Sequence, residues 1–490
     1  MNQPTLFEGA RLQMSESLRM TLDSLRTYGE RHKHWAIAWS GGKDSTALVT
    51  LVIWLIKSGQ LPRPETLTVL YADTRMELVP LAAAAADIRE ELQDHGVEVR
   101  TVMAPMDRRF YVYLLGRGVP PPNNNTFRWC TRQIKIEPMA DELRRLHAAR
   151  GNEKILMLTG VRQGESAVRD GRIAMSCSRD GAECGQGWYQ ETMPEALCNT
   201  LAPLLHWRVC HVWEWLKHWA PTEAYGDWST AMIADAYGGE EAEEINARTG
   251  CVGCPLAQED TALNTVLKAP RWAYLAPLLR LKPLYRELRK PQHRLRKPGG
   301  ESRADGTLSK NQQRMGPILL ESRLWALEQV LAIQAEVNGA ARAQGRPLLD
   351  LLNAEEEARI RELIAAKTWP QKWTGEEGAA DELIDLVFAD GRTHMGEPGG
   401  AVLHAALAAR LSEASAAVAQ IRQEIAALPT RRPVADWTAS ECMYPHLRGV
   451  VEVDSAGWWL TLPGQEATPL PGSLVADRVE ALLLHGWIGR

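Results

Sequence analysis

The sequence predicts an α/β protein built on a doubly wound parallel sheet, followed by a helical extension and a small C-terminal domain. Three observations predict it. Short apolar runs alternate with helical stretches from about residue 34 to residue 205. A Gly-rich turn joins the first run directly to the first sheet helix. Beyond residue 205 the alternation lapses into Trp-rich and helical segments. Strands alternating with helices of 10–15 residues argue for parallel strands covered on both faces.

In chain order, residues 11–31 read as a leading helix and 34–39 (HWAIAW) as the first strand, with an apolar helix over 46–57. Residues 67–71 are a second strand backed by an Ala-rich helix over 79–95, and 97–103 a third. A helix over 136–149 precedes a fourth strand at 154–159. Ligands of such sheets bind at the carboxyl ends of the strands. Helical signals follow at 209–219 and 319–344, with a Gly/Pro/Arg-rich linker or loop at 297–316. The region 354–428 reads as helical and is acidic in its first part; 457–462 reads as a strand and 475–484 as a short helix. The expected division is 1–300, 301–430 and 431–490, since a chain of 490 residues exceeds what one core supports.

Composition excludes several classes. Net charge is 56 − 61 = −5, so contact with nucleic acid has to be local. Eight cysteines in this length are too few for a disulfide scaffold, and MNQPTLFEGARLQMSE lacks a secretion signal, so the expectation is a cytoplasmic protein. No run approaches the ~20 apolar residues of a membrane span. Tryptophans outnumber phenylalanines, 18 to 4; Trp207, Trp213, Trp215 and Trp219 read as core packing.

The turn at the first strand is Ser40-Gly41-Gly42-Lys43-Asp44-Ser45. Two glycines let the backbone approach an anion, and the helix behind offers unpaired N–H groups and a positive dipole end. Lys43 adds charge, Ser40 and Ser45 add hydroxyls, and Asp44 could share a magnesium ion with bound phosphates. The string is not a Walker A loop. Asp73 and Thr74 end the second strand on the same edge, as nucleotide or metal contacts or as a local cap. Arg162 and Arg169 follow the fourth strand and suit phosphate or sulfate; the bland alternative is a surface ion pair with Glu165.

Cys251-Val-Gly-Cys254 is a C-x-x-C pair, ambiguous among zinc, redox disulfide and iron-sulfur ligation. Cys130 lies in a basic segment that opens a helix, where a thiolate would be stabilised. Cys177, Cys184 and Cys198 have less informative settings, and Cys210 and Cys442 read as packing residues. Between residues 268 and 303 eleven Lys/Arg face two acids, 11 − 2 = +9. That stretch suits phosphate-backbone contact, with Trp272 and Tyr285 as stacking candidates, or else a solvated face or a docking surface for an acidic partner.

The six-residue loop matches the PP-loop ATP pyrophosphatases. Together with Tyr71-Ala-Asp-Thr74, Arg128-Trp-Cys-Thr-Arg-x-x-Lys-Ile-x-Pro138, Gly160-Val-Arg162-Gln-Gly-Glu165-Ser-Ala-Val-Arg169 and Gly250-Cys-x-x-Cys254, the chain resembles the phosphoadenosine phosphosulfate reductase superfamily, of adenine nucleotide alpha hydrolase-like fold. It is most similar to the DNA phosphorothioation (DndC) branch, through Leu114-Leu-Gly-Arg-Gly-Val-Pro-Pro121, Asn311-Gln-Gln-Arg-Met-Gly-Pro-Ile318 and Trp369-Pro-x-x-Trp373; the likeness covers roughly residues 30–375.

The resemblance implies cleavage of ATP between its α- and β-phosphates, adenylation of a DNA phosphate and sulfur insertion. It implies a [4Fe-4S] cluster on Cys130, Cys251 and Cys254, either with an open iron or with a fourth ligand from Cys177, Cys184 or Cys198. ATP, Mg2+, DNA through 268–303, a cysteine desulfurase as sulfur donor and other phosphorothioation proteins are the implied cofactors and partners. Three other readings stand beside it. One is reduction of adenosine phosphosulfate or its 3′-phosphorylated form, of which Glu441-Cys442 is a faint echo; the others are tRNA thiolation and a non-catalytic ATP- and DNA-binding subunit.

Overall fold

The computed structural model describes residues 13–123, 127–163, 188–190, 197–239, 250–297 and 315–380, together with the strands and residues 466–467 of the remainder. The chain forms two compact units, Met1–Ala380 and Asp381–Arg490. The expected boundary at residue 300 thus falls inside the first unit, and that at 430 inside the second.

The first unit is organised by a six-stranded sheet in the order β3-β2-β1-β4-β6-β5. Strand β1 (His34–Trp39) is central, parallel to β2 (Thr66–Ala72) and β4 (Ile155–Leu158), with Ile37 opposite both Val69 and Leu158. β3 (Glu98–Val102) continues the parallel array beside β2, and β6 (Cys198–Ala202) beside β4. β5 (Trp188–Gln190) closes the far edge antiparallel to β6. Five parallel strands flanked by helices confirm the predicted α/β class; β5 and β6 are additions to the four strands expected.

Alternation along the strands builds a core on each face. Trp35, Ile37, Trp39, Val69, Tyr71, Leu156 and Leu158 join the larger core. Ala36, Leu70, Ile155, Met157 and Cys198 join Leu143 and Leu146 in the smaller one. The larger face is covered by α1 (Met14–Gly29), α2 (Lys43–Lys57) and α3 (Val79–Asp94), the smaller by α5 (Glu137–Ala149), reached through a one-turn α4 (Trp129–Thr131). α2 reads TALVTLVIWL along its interior and is buried over most of its circumference, as expected of a helix apolar nearly all round. α3 starts with Pro80 in its first turn, where a missing N–H costs nothing.

Beyond the sheet lie α6 (Val209–Glu214), α7 (Thr261–Leu267), α8 (Leu281–Glu287), α9 (Leu320–Gln344) and α10 (Ala354–Ala365). Trp207, Trp213 and Trp215 are fully buried and Trp219 packs against the same core, as their spacing suggested. α9 ends at Gly345 with φ +61°, a left-handed cap. α10 begins with a reciprocal capping box: Asn353 Oδ1 accepts from Glu356 N at 2.9 Å, and Glu356 Oε2 accepts from Asn353 N at 3.1 Å. Residues of α9 and α10 belong to the core that contains β1, so the helices expected as a separate extension are part of the first unit.

In the second unit, β7 (Asp385–Val387) and β8 (Thr393–Met395) form a hairpin where the sequence read as helical. β9 (Arg432–Thr438), β10 (Arg448–Asp454), β11 (Gly457–Thr461) and β12 (Thr468–Pro469) form an antiparallel sheet. The short helix expected at 475–484 lies outside the described residues, as does most of the 297–316 segment. Among the described residues no helix is long and apolar enough to cross a membrane.

Candidate functional site

The loop at 40–45 sits at the carboxyl end of β1, and Lys43 is already the first residue of α2. Gly41 has φ +72°, a conformation that disfavours any side chain, and Gly42 is the extended N-cap. The hydroxyls brace the loop. Ser45 Oγ donates to Gly42 O at 3.1 Å and accepts from Ser40 N at 3.2 Å, and the two Ser hydroxyls are 3.2 Å apart. Gly160, just past β4, closes on the loop from the neighbouring strand: a Cβ there would stand 2.8 Å from the carbonyl carbon and oxygen of Asp44 and 2.9 Å from Ser45 N. Tyr237 OH accepts from Lys43 N at 3.3 Å, and its ring lies 4.8 Å from the Lys43 ammonium.

Asp44 is the centre of an ion-pair chain. Its Oδ2 is 3.1 Å from Lys43 Nζ, and its Oδ1 accepts from Arg162 Nε at 2.6 Å. Arg162 is 5% exposed and also donates to Trp207 O at 3.3 Å. Each of the Asp44 oxygens thus faces a protein cation. Glu165 lies outside the described residues. Arg162 is a buried cation on the phosphate loop. Arg169, Cys177 and Cys184 lie outside the described residues, and so does Cys442.

Asp73 and Thr74 sit at the end of β2, where Asp73 Oδ1 accepts from Arg75 N at 2.9 Å. Thr74 Oγ1 donates to Glu77 Oε1 at 2.5 Å. The pair shapes a turn before α3, whose N-cap is Leu78, so it is not the cap of that helix. Glu77 was not singled out from sequence. Burial above all pushes its carboxyl above the usual carboxylate range, with the Asp73 charge adding to the push and the Thr74 hydrogen bond and Lys135 opposing it.

The C-x-x-C turn is fastened to this same edge. Val252 N donates to Met76 O at 2.7 Å, in the segment that follows β2. Cys254 N donates to Cys251 O at 3.1 Å, and Gly253, at φ +58°, donates to Asp260 Oδ2 at 2.9 Å. A Cβ on Gly253 would meet the Leu281 side chain at 2.7 Å. Asp260 also caps α7 through Leu263 N at 3.3 Å. Cys130 comes from α4 and packs, like Cys251, against the larger core.

Burial above all pushes the Cys251 thiol up to about 11; Lys135 opposes this, and Cys254, Glu77 and Cys130 add to it. Cys130 is raised as well, chiefly by burial and then by the charge of Cys254, against its hydrogen bond to Thr131 and the nearby Arg128. At Cys130 burial outweighs the effect of the arginine. Cys254 thus acts on both Cys130 and Cys251, but among the described residues no group of three or more His, Cys, Asp or Glu is closed into a metal-binding set. Three half-buried thiols with Lys135 and Arg128 beside them are a donor set whose chemistry suits iron-sulfur or zinc.

Cys198 is removed from the list of further ligands. It lies on β6 opposite Ile155, 1% exposed, in the smaller core, whereas Cys130 and Cys251 pack on the larger one. Cys210 is half-buried on α6.

Most cations of the basic stretch bond within the fold. Arg271 pairs with Asp235 and Arg280 with Glu336. Lys290 pairs with Glu287 at 2.6 Å. Arg294 donates to Gly316 O at 2.6 Å and Arg296 to Ala380 O at 2.7 Å, and both are buried. Lys297 lies 5.0 Å over the Trp373 ring. Trp272 and Tyr285 are 3% and 1% exposed, so the expectation that they stack on bases is corrected.

Comparison with known proteins finds a family likeness over part of the chain. No curated protein matches the chain. Among solved structures, FMN adenylyltransferase of Candida glabrata, in complex with FMN and the ATP analogue AMPCPP, is 14% identical over 44% of this chain and 60% of that one, with a TM-score of 0.27. The U34-tRNA thiolase NcsA from Methanococcus maripaludis, with its [4Fe-4S] cluster, is 14% identical over 56% of this chain and 79% of that one, with a TM-score of 0.26. At this level of likeness neither neighbour bears on the reaction. The match that spans the phosphate loop, Cys130, Arg162 and the Trp-rich helix is of another kind: residues 34–220 match the phosphoadenosine phosphosulfate reductase domain, of the PP-loop superfamily.

Proposed function

We propose that the protein is an ATP-dependent iron-sulfur sulfurtransferase of DNA phosphorothioation. The observation that carries the reading is the bond from Val252 to Met76, which fastens the C-x-x-C turn to the strand edge next to the ATP loop. Nucleotide activation and sulfur delivery then share one edge of one sheet, where such folds bind their ligands.

The steps fall to named groups. The N–H groups at the start of α2 and the Ser40 and Ser45 hydroxyls receive the ATP phosphates. Lys43 and Arg162, which neutralise Asp44 at rest, turn to the phosphate oxygens. Attack of a non-bridging DNA oxygen on the α-phosphorus forms the new P–O bond as pyrophosphate leaves. Sulfur at the sulfide level then attacks the activated DNA phosphorus, and AMP departs with the former DNA oxygen, so no redox change is needed at this step. Cys130, Cys251 and Cys254 would hold a [4Fe-4S] cluster, which when bound would supply a site for sulfide. A cysteine desulfurase as donor and other phosphorothioation proteins as partners belong to the same proposal.

The family of residues 34–220 favours a second reading, reduction of a sulfonucleotide to sulfite. Anaerobically purified protein separates the two. The first reading expects brown protein absorbing near ~400 nm, release of pyrophosphate from ATP, and 35S from labelled cysteine plus a desulfurase appearing in DNA. Colourless protein with stoichiometric zinc overturns the cluster, label in tRNA overturns DNA as acceptor, and sulfite formation from adenosine phosphosulfate establishes the reductase.

A further inference from the structure

Directly after Cys254 the chain turns through Pro255–Gln258 and walls a cavity of about 290 Å3 with Lys282, Arg286 and Arg289. Each cation commits one contact to that turn. Lys282 Nζ donates to Ala257 O at 2.7 Å, Arg286 to Gln258 O at 2.7 Å and Arg289 to Pro255 O at 3.1 Å. The carbonyl bonds fix the three side chains without neutralising them. Unlike Arg271, Arg280 and Lys290, none of the three has a carboxylate ion-pair partner among the described residues. Asp260 and Glu259 act on Lys282 only through their charge, and both oxygens of Asp260 already accept from Gly253 and Leu263.

Arg289 Nε is buried with no hydrogen-bond partner among the described residues. A lone buried donor of this kind is costly unless a ligand accepts from it. The volume lies near the lower end of small-molecule sites, room for one phosphate group with its sugar and not for a whole nucleotide cofactor.

We infer that this cavity is a phosphate subsite, in which Lys282, Arg286 and Arg289 seat a backbone phosphate of the DNA substrate beside the Cys251–Cys254 turn. The choice of DNA rests on the proposed function; the chemistry of the site alone also admits free phosphate. Among the described residues of the 268–303 stretch, these three are the cations gathered around a cavity beside the cysteines.

The test is binding by the full-length protein without ATP, so that it is independent of nucleotide turnover. Arg286 is exposed, and Arg286→Gln keeps a donor for Gln258 O. Arg280→Gln, on the same stretch but paired with Glu336 outside the cavity, is the control. With a fluorescent single-stranded DNA oligomer, Arg286→Gln is expected to weaken binding about tenfold at ~100 mM salt and to lower the salt slope by about one, with Arg280→Gln unchanged. Calorimetry with inorganic phosphate is the second arm. Loss of phosphate binding in Arg286→Gln with an unaltered DNA slope keeps the subsite and overturns DNA as its source. Tighter, Arg286-dependent binding of the same oligomer as RNA also overturns DNA. If Arg286→Gln and Lys282→Gln both match the unmodified protein in both arms, the subsite itself is refuted, whatever the outcome of the pyrophosphate assay.

Discussion

Gly160→Ala tests whether the β4 edge positions the ATP loop. The added methyl would stand 2.8 Å from the carbonyl carbon and oxygen of Asp44 and 2.9 Å from Ser45 N, all backbone atoms of the first turn of α2. Carbon contacts settle at about 3.5–4.0 Å, so loop and strand end have to part by roughly 0.7–1 Å. Gly160 is not in the left-handed region, so the perturbation is purely steric. Overpacking of this kind costs about 1–3 kcal/mol of stability. Displacing reacting groups by about 1 Å can cost on the order of a hundredfold in rate.

The assay is pyrophosphate release and ATP binding by calorimetry, with urea denaturation alongside. Gly160→Ala is expected to fold, to lose about 1–3 kcal/mol and to release pyrophosphate about 10- to 100-fold more slowly. Gly339→Ala is the control, because a methyl at that site in α9 meets nothing within 4 Å; it should gain about 0.5–1 kcal/mol and leave ATP chemistry alone. A folded Gly160→Ala protein with ATP affinity and pyrophosphate release within about twofold of the parent would refute the argument that contact distance sets the loop.

Other expectations follow from single contacts. Asp260→Ala removes both the α7 cap and the acceptor that holds Gly253, and should cost about 1–2 kcal/mol in denaturation while lowering the iron retained after anaerobic reconstitution. Glu77, held above the ordinary carboxylate range mainly by burial, favours the folded state fully below its unfolded value and loses that contribution as pH rises through its folded value. Glu77→Gln should therefore be more stable than the parent at pH 7, with the gap closing as pH falls toward 4.5; a gap that widens on acidification contradicts this. Arg323, fully buried in α9, donates to Ile318 O at 2.8 Å and Thr368 O at 2.7 Å and lies 4.2 Å over the Trp369 ring. Burial lowers it to about 9. Arg323→Met should destabilise by about 2–4 kcal/mol because several carbonyls lose their donor, and Arg323→Lys should not restore the loss, since an ammonium cannot reproduce the planar fork.

What the sequence disclosed was what is local along the chain. The strand, turn and helix at 34–57 are contiguous, and the glycine and charge pattern of the loop is itself the mechanism of anion binding. Tyr237 could not be found this way, because it reaches Lys43 N from 194 positions away. β6 was missed because CNTLA is short and weakly patterned, and its strand character comes from pairing with β4. The hairpin at 385–395 escaped for a similar reason, as three-residue strands carry no period to read. Counting charges could not sort the cations of the 268–303 stretch, since a count registers the cation on Arg294 and not the Gly316 carbonyl that holds it. For Cys130 the basic neighbours were visible and the burial was not.

The pairing of Asp44 with Lys43 and Arg162 sets a threshold on what the loop accepts. An incoming anion meets cations that already have a counterion of their own. A ligand with a single negative charge exchanges one ion pair for another at little net gain, so ambient chloride or acetate has small leverage. A polyphosphate brings charge enough for both cations and for the helix N–H groups together. The loop therefore selects by valence before it selects by shape, and a cell's monovalent anions leave it available for ATP.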